Sequence, residues 1–349
     1  MKVVLKTELL MKEDIDKWNE FLKKKKDFEI GFLSDIRDLY VQSYGLKPAY
    51  YVLKSGEDMH GIFPSFRVGF FDKHLVSLPF LNLTGGFIAE KDNQKIFLKK
   101  IIELERKIGS AFIHIKTGES LNSELISDFN IKKTIFAYES VLDLKGDIKK
   151  KFDKDVKRRI KKSISVKILK VKSINEIKIY HRLLSFVHKS LHNNLTHPLK
   201  FYKNIFSILI PKKLCEIYLL SNNEKFIGGF MIFKHHKKAI LADLFSLKKY
   251  SSLNPQHKAL SFIINDLKKK GYSSFSFGPS FLDMDSVLSF KKSWGANHKN
   301  IYSYMIPVNK SVNLTPPSKD SFKGLRTFIP LVPYFIVKNS SGLILKRFA

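Results

Sequence analysis

The chain repeats itself. Residues 49–68 run Ala49-Tyr50-Tyr51-Val52-Leu53-Lys54, turn at Ser55-Gly56-Glu57-Asp58, and return as His60-Gly61-Ile62-Phe63-Pro64-Ser65-Phe66. That is a hairpin pattern, two apolar runs around a polar turn. Residues 215–233 do the same, with Glu216-Ile217-Tyr218-Leu219-Leu220, a turn at Ser221-Asn222-Asn223-Glu224, and Ile227-Gly228-Gly229-Phe230-Met231-Ile232-Phe233. Tyr51 and Tyr218 lie 167 positions apart. Downstream, an amphipathic helical pattern from Ile101 passes Gly109 and ends in a strand near Ile115. Ile263 to Phe277 repeats that order around Gly271, 162 positions after Gly109. The near-constant offset points to two copies of one α/β unit, with a boundary near residue 147.

Each copy reads as helix, strand hairpin, third strand, long helix, strand. In the first, Glu13–Lys26 is helical, 50–54, 61–68 and Leu75–Leu83 are strands, 93–108 is a helix and 111–116 a strand. In the second, 153–163 and 175–192 are helical and 215–221, 226–234 and 238–245 are strands. The long helix covers 256–270, with Asn254 as its N-cap and Pro255 at its first position. The expected fold class is α/β (α+β): two domains in tandem, each a mixed, mainly antiparallel sheet flanked by helices.

Composition narrows the partners. Formal charge is +30 over 349 residues, and such a field attracts nucleic acid, phosphorylated small molecules or an acidic membrane surface. Only eight of the 62 basic residues are arginine, so the lysine excess also fits a compositional bias. The bidentate arginine fork is the stronger mark of a phosphate site. A single cysteine, Cys215, excludes an intrachain disulfide; set among Leu214, Ile217 and Leu219 it reads as buried rather than nucleophilic. The N-terminus lacks the apolar core of a signal peptide, and no run reaches the ~20 apolar residues of a spanning helix. The expected location is cytoplasmic.

Three motifs follow one another on the duplicated unit: Ser77-Leu78-Pro79-Phe80 leading to Gly85-Gly86; Lys157-Arg158-Arg159-Ile160-Lys161-Lys162; and Phe277-Gly278-Pro279-Ser280 followed by Phe290-Lys291-Lys292-Ser293-Trp294-Gly295. With these motifs on it, the order of helices and strands in each copy resembles the GNAT acetyltransferase superfamily. The tandem arrangement resembles the FemA/FemB/FemX aminoacyltransferases, over most of residues 1–306. The resemblance implies a first domain at 1–147, a second at 148–306 carrying the transferase motif, and a C-terminal extension at 307–349. The chain departs from the family in two places. Residues 153–192 are too short and interrupted for the long helical arm of several Fem proteins, and the extension has no assigned counterpart.

What the resemblance implies chemically is acyl or aminoacyl transfer to an amine of a cell-envelope precursor, such as a peptidoglycan precursor. Transfer is direct, and Lys291 stabilises the tetrahedral oxyanion. Donors held at such an oxygen supply roughly 3–4 kcal/mol each. Phe290 packs beneath the lysine, and Trp294 and Gly295 fix the turn. Arg158, Arg159, Tyr250, Asn254, Phe277, Gly278, Ser280 and Trp294 line the substrate site, with the two arginines toward a diphosphate or phosphorylated sugar of an anionic acceptor. The same residues also suit ordinary solvated helix faces and a packed helix end.

No cofactor is expected to bind tightly; the donor is aminoacyl-tRNA or acyl-CoA. Tyr250-Ser251-Ser252-Leu253-Asn254-Pro255-Gln256-His257, before the long helix of the second copy, contains no glycine, and Pro255 removes an N–H. That argues against a pyrophosphate held at the helix N-terminus; an aminoacyl-tRNA donor tolerates the loss, because tRNA can be gripped through its backbone by lysines. No metal is expected: His188 and His192 have helical spacing but no third ligand. Asp243, Asp283 and Asp285 are conceivable bases but read as solvated loop carboxylates. The apolar pieces Phe328–Val337 and Leu343–Leu345, flanked by Lys338, Lys346 and Arg347, suit either packing on the domains or peripheral contact with an anionic membrane face. Two other functions fit the composition: an acyl-CoA-dependent N-acyltransferase acting on a sugar or amino acid, and a non-enzymatic basic nucleic-acid-binding protein.

Overall fold

The computed structural model describes residues 5–25, 27–69, 73–80, 83–192, 195–309 and 314. The expectations for the C-terminal extension therefore lie outside the described residues, apart from its first few. Two compact units divide the described chain, one formed by residues up to 136 with 301–309 and 314, the other by 137–300.

The first unit opens with strand β1 (Lys6–Leu9), helices α1 (Ile15–Lys23) and α2 (Ser34–Tyr44), and the short strand β2 (Lys47–Pro48). The hairpin follows as β3 (Tyr51–Ser55) and β4 (Asp58–Phe63), then β5 (Phe66–Val68), β6 (His74–Ser77), β7 (Ile88–Ala89), helix α3 (Lys91–Ile108), β8 (Phe112–Thr117) and the short helix α4 (Ser123–Asp128). Strand β9 (Lys132–Asp143) then carries the chain into the second unit. Pro64 separates β4 from β5, as expected of a residue with no N–H for a ladder. The hairpin and β1 join β7 in one small sheet, while β5 and β6 pair with each other, and β6 runs parallel to β8 across the α3 crossover. The core of this unit gathers Tyr51, Phe63, Phe97, Ile101, Ile113 and Tyr304.

The second unit contains α5 (Lys154–Lys162), β10 (Lys167–Lys170), α6 (Ile174–His192), α7 (Leu199–Asn204), β11 (Cys215–Asn222), β12 (Lys225–His235), β13 (Lys238–Ser246), α8 (Pro255–Lys269), β14 (Ser274–Ser280) and α9 (Asp285–Ser293). Strand β15 (Asn297–Pro307) then returns to the first unit and pairs there with β8. The crossings thus fall inside β9 and β15 rather than in the loop near residue 147. Strands run in the order β10-β11-β12-β13-β14-β9, antiparallel except for the parallel pair β13 and β14 joined by α8. Both units therefore show hairpin, parallel strand pair and crossover helix. Both crossover helices end at a glycine with positive φ, Gly109 at +84° and Gly271 at +72°.

Burial explains the local choices. Strand β11 is buried along almost its whole length and β12 nearly so, matching their near-continuous apolar runs. A Cβ at Gly229 would sit 2.7 Å from the Tyr218 carbonyl oxygen and 2.8 Å from the Tyr180 ring, so only glycine lets α6 lie this close to β12. Helix α8 buries Leu260, Ile263, Ile264 and Leu267 against Phe230, Phe275 and Phe277, and Trp294 completes this core. Among the described residues no helix is long and apolar enough to cross a membrane.

Candidate functional site

The site is built where two parallel strands part. β13 and β14 pair only from Lys238 to Ile240 and from Ser274 to Ser276. Beyond that point β13 stays with β12 as far as Ser246, and β14 stays with β9 as far as Ser280. Their C-terminal halves therefore form a fork. Within β14 the ladder to β9 is broken between Ser276 and Pro279, and Gly278 sits in this break with φ of +75°. Its N–H donates to Ser276 Oγ at 3.1 Å, which leaves its carbonyl turned toward the returning helix α9.

Lys291, near the C-terminal end of α9, meets that carbonyl. Its Nζ donates to Gly278 O at 2.6 Å and to Ser280 Oγ at 2.8 Å, with Pro279 O at 3.4 Å. The residue is only 7% exposed. Burial lowers its pKa from 10.5 to about 8, and the Glu139 carboxylate on β9 partly opposes the shift. The ammonium thus stays largely charged at neutral pH in a place that disfavours charge. A hydroxyl that accepts from an ammonium keeps its own hydrogen, so the Ser280 O–H can donate elsewhere. Lys292, by contrast, is exposed.

Aromatic side chains fix this helix end. Trp294 is fully buried, with Phe152 at 5.1 Å, His257 at 5.7 Å, and Phe277 and Phe290 both at 6.4 Å between ring centroids. Gly295 has φ of +81°, and a Cβ there would lie 2.6 Å from the Lys151 Cβ. The Asp153 N–H also donates to Ser293 O at 2.9 Å. These contacts dock the end of α9 onto the segment that opens the basic helix α5. His257 packs edge-on against Phe290 at 5.6 Å, and burial, reinforced by the Arg159 charge, lowers its pKa to about 4. It is neutral at pH 7.

The two arginines separate. Arg159 pairs with Asp155 at 2.6 Å and reaches Asn254 Oδ1 at 3.4 Å, so it faces the start of α8. Arg158 pairs with Asp155 inside its own helix, and its side chain is 61% exposed. Asn254 occupies the N-cap position as the sequence suggests, but in the left-handed conformation (φ 51°, ψ 47°) and with no side-chain cap bond. Its amide instead takes the Arg159 contact and donates to Ser252 O. Tyr250 lies half-buried at the edge of the core, with the Lys249 ammonium 5.2 Å from its ring centroid. The structure therefore gathers Lys291, Gly278 and Ser280, joins Phe290, Trp294 and Phe277 to them, and links Arg159 to Asn254. Arg158 and Tyr250 stand at the margin.

Three features went unread in the sequence. His257 lies within a stretch noted only for its lack of glycine, although its place one turn into α8 was a usable signal. Glu139 comes from β9, a strand that local pattern did not reveal. Asp243 is not a solvated loop carboxylate. It sits on β13, three residues past the end of the parallel pairing, and accepts from Tyr180 Oη at 3.2 Å and Tyr202 Oη at 3.3 Å. Desolvation raises its pKa to about 6 against the lowering effect of both phenols.

The start of α8 is a poor cradle for phosphate. Pro255 has no N–H, and those of His257 and Lys258 both donate to Asn254 O at 3.1 and 3.2 Å. Cys215 is buried, and desolvation drives its thiol pKa far up, which excludes a ready thiolate. Among the described residues no group of His, Cys, Asp and Glu is gathered that could hold a metal ion. The His192 side chain lies outside the described residues.

No protein-family model matches the chain, and no curated protein matches it by sequence. Solved structures do. FemX superposes with a TM-score of 0.68 at 9% identity, covering 92% of this chain and all of FemX. A tandem GNAT protein from the clavulanic acid biosynthesis pathway gives 0.57 at 8% identity, covering 88% of this chain and all of that one. L-PGS from Bacillus licheniformis gives 0.56 at 14% identity, covering 93% and 99%. The chain has the FemX-like tandem GNAT fold. In this fold the sheet of the second unit opens between β13 and β14, and Lys291 stands at that opening.

Proposed function

We propose that the protein transfers an acyl or aminoacyl group directly to an amine of an anionic cell-envelope precursor. The supporting observation is the Lys291 ammonium, buried and clamped between Gly278 O and Ser280 Oγ at the strand fork. The incoming amine adds to the donor carbonyl carbon, and the carbonyl oxygen takes the negative charge. The carbon–oxygen or carbon–sulfur bond to the donor then breaks, the leaving group takes a proton, and the amine nitrogen loses one. The Ser280 hydroxyl, polarised by Lys291, is the donor for that oxygen, and the Lys291 charge behind it, whose N–H groups are held by Gly278 O, Pro279 O and Ser280 Oγ, supplies the electrostatic stabilisation. Phe290 and Trp294 hold the lysine in place, and Arg159, oriented by Asp155 and by Asn254 Oδ1, offers its remaining guanidinium N–H groups to the acceptor's phosphate or carboxylate.

Aminoacyl-tRNA is the favoured donor, since Pro255 and the internally bonded amides after it leave little to hold the diphosphate of CoA. Acyl-CoA is kept as the second donor to test, because AcCoA is the compound named with the tandem GNAT protein of like fold. The test is a transfer screen in which purified protein meets mixed charged tRNAs or acyl-CoAs together with nucleotide-linked and lipid-linked amine acceptors. The proposal expects label on an anionic amine acceptor from an aminoacyl-tRNA. Absence of transfer from every donor, with tight sequence-independent binding of nucleic acid, would replace it with the binding-protein reading.

A further inference from the structure

Helix α6 buries Tyr180, Leu184 and Val187 against the sheet, yet turns Phe186 outward at 54% exposure. Phe186 is not isolated. With Leu183 and Leu247 it floors a groove of about 690 Å³ between α6 and the segment that follows β13, and Arg182, Lys248 and Lys249 stand on its rim. That volume is in the range of sites that enclose a small organic ligand. Among the described residues no carboxylate lines the groove. An apolar floor beneath a cationic edge complements one kind of molecule, an apolar chain ending in an anion. The groove also adjoins the candidate site along the chain: Lys248 and Lys249 open the 3-10 turn Lys248–Leu253, which ends at Asn254, the partner of Arg159.

We propose that this groove seats an anionic lipid, its acyl or prenyl chain against Leu183, Phe186 and Leu247 and its phosphate against Arg182, Lys248 and Lys249. The proposal rests on the acceptor reading above for the lipid's role, but its test reads binding alone. Dihexanoylphosphatidic acid, used as a dissolved monomer, is titrated into the full chain by calorimetry beside sn-glycerol 3-phosphate, which has the same anion without the chains. Binding of the lipid is expected, with much weaker binding of the glycerol phosphate. Phe186→Asp should lower lipid affinity at least about tenfold, since it removes an apolar contact and adds a repelling charge. Lys248→Gln with Lys249→Gln should lower it comparably, while Lys99→Gln with Lys100→Gln, two exposed lysines of the first unit, should not. Phe186 is exposed, so its replacement is compatible with folding, and the thermal transition checks this. Equal affinity for the two ligands, no loss in Phe186→Asp, or no binding at all overturns the groove assignment. Groove binding that survives while no lipid-linked amine is acylated would leave the lipid site standing and defeat the acceptor reading instead.

Discussion

Lys291→Met separates the chemistry of the site from its packing. Folding lowers the Lys291 pKa from 10.5 to about 8. One pKa unit corresponds to about 1.36 kcal/mol, so holding the ammonium in the folded state at neutral pH costs about 3 kcal/mol relative to the unfolded chain. Between pH 8 and 10.5 the unfolded chain binds more protons at this residue than the folded one, so this residue's contribution to stability rises with pH across that window and is flat below it. Activity should move the other way, because the charge that stabilises the oxyanion is lost as pH passes about 8. The methionine variant removes both dependences. It deletes two close hydrogen bonds to a charged donor, each worth about 1.5–3 kcal/mol, and also removes the burial cost of similar size. At pH 7 its stability should therefore differ from the parent by less than about 3 kcal/mol, while turnover falls a hundredfold or more. Urea unfolding of both proteins at steps from pH 7 to 10.5 is the assay, and subtracting the two curves isolates Lys291 from the other lysines. A difference that stays flat over that range would refute the burial argument.

The remaining expectations follow from single contacts. Arg159→Gln should weaken binding of an anionic acceptor and reduce its salt slope by about one, whereas Arg158→Gln, exposed and paired within its own helix, should do little; titration at several salt concentrations checks both. CoA and its acyl esters should bind more weakly than micromolar in calorimetry, since Pro255 and the amides bonded to Asn254 O leave little for a diphosphate. Asp243, with its pKa raised to about 6, favours the protonated folded state, so stability should fall as pH rises from about 4 to 6. Asp243→Asn should remove that slope in acid-range unfolding, and Tyr180→Phe should steepen it by removing a bond to the carboxylate.

The fold was legible where its signals are local. The two hairpins, the two long helices and their terminal glycines carry their own periodicity and turn chemistry, so the duplication read in Tyr51, Tyr218, Gly109 and Gly271 recurs as a hairpin followed by a parallel strand pair and its crossover helix in each unit, although the hairpin of the first unit lies in a separate small sheet. Helix α2 and strands β9 and β15 were not read. β9 is covered unevenly along its length and lacks clean alternation, and the return of β15 to β8 depends on a partner nearly 190 positions away in the chain. The site divides the same way. Phe290, Lys291, Trp294 and Gly295 form a contiguous motif and could be named from it. That Lys291 would be clamped by Gly278 and Ser280, that Lys292 would face solvent, and that Arg159 but not Arg158 would reach Asn254 depend on how α9, α8 and α5 dock, which no short segment encodes. Asp243 looked like an ordinary acidic residue because Tyr180 and Tyr202, which shape its environment, come from distant helices.

The most direct test of the central claim is a single-turnover transfer measurement with labelled aminoacyl-tRNA and an amine acceptor, comparing the parent protein with Lys291→Met, Ser280→Ala and Lys292→Met. The account predicts transfer by the parent, a loss of a hundredfold or more in Lys291→Met, a smaller but clear loss in Ser280→Ala, and nearly full activity in Lys292→Met, with unchanged donor binding throughout. Equal and mild effects of Lys291→Met and Lys292→Met would contradict it, and would reduce the buried ammonium to a packing element of the strand fork.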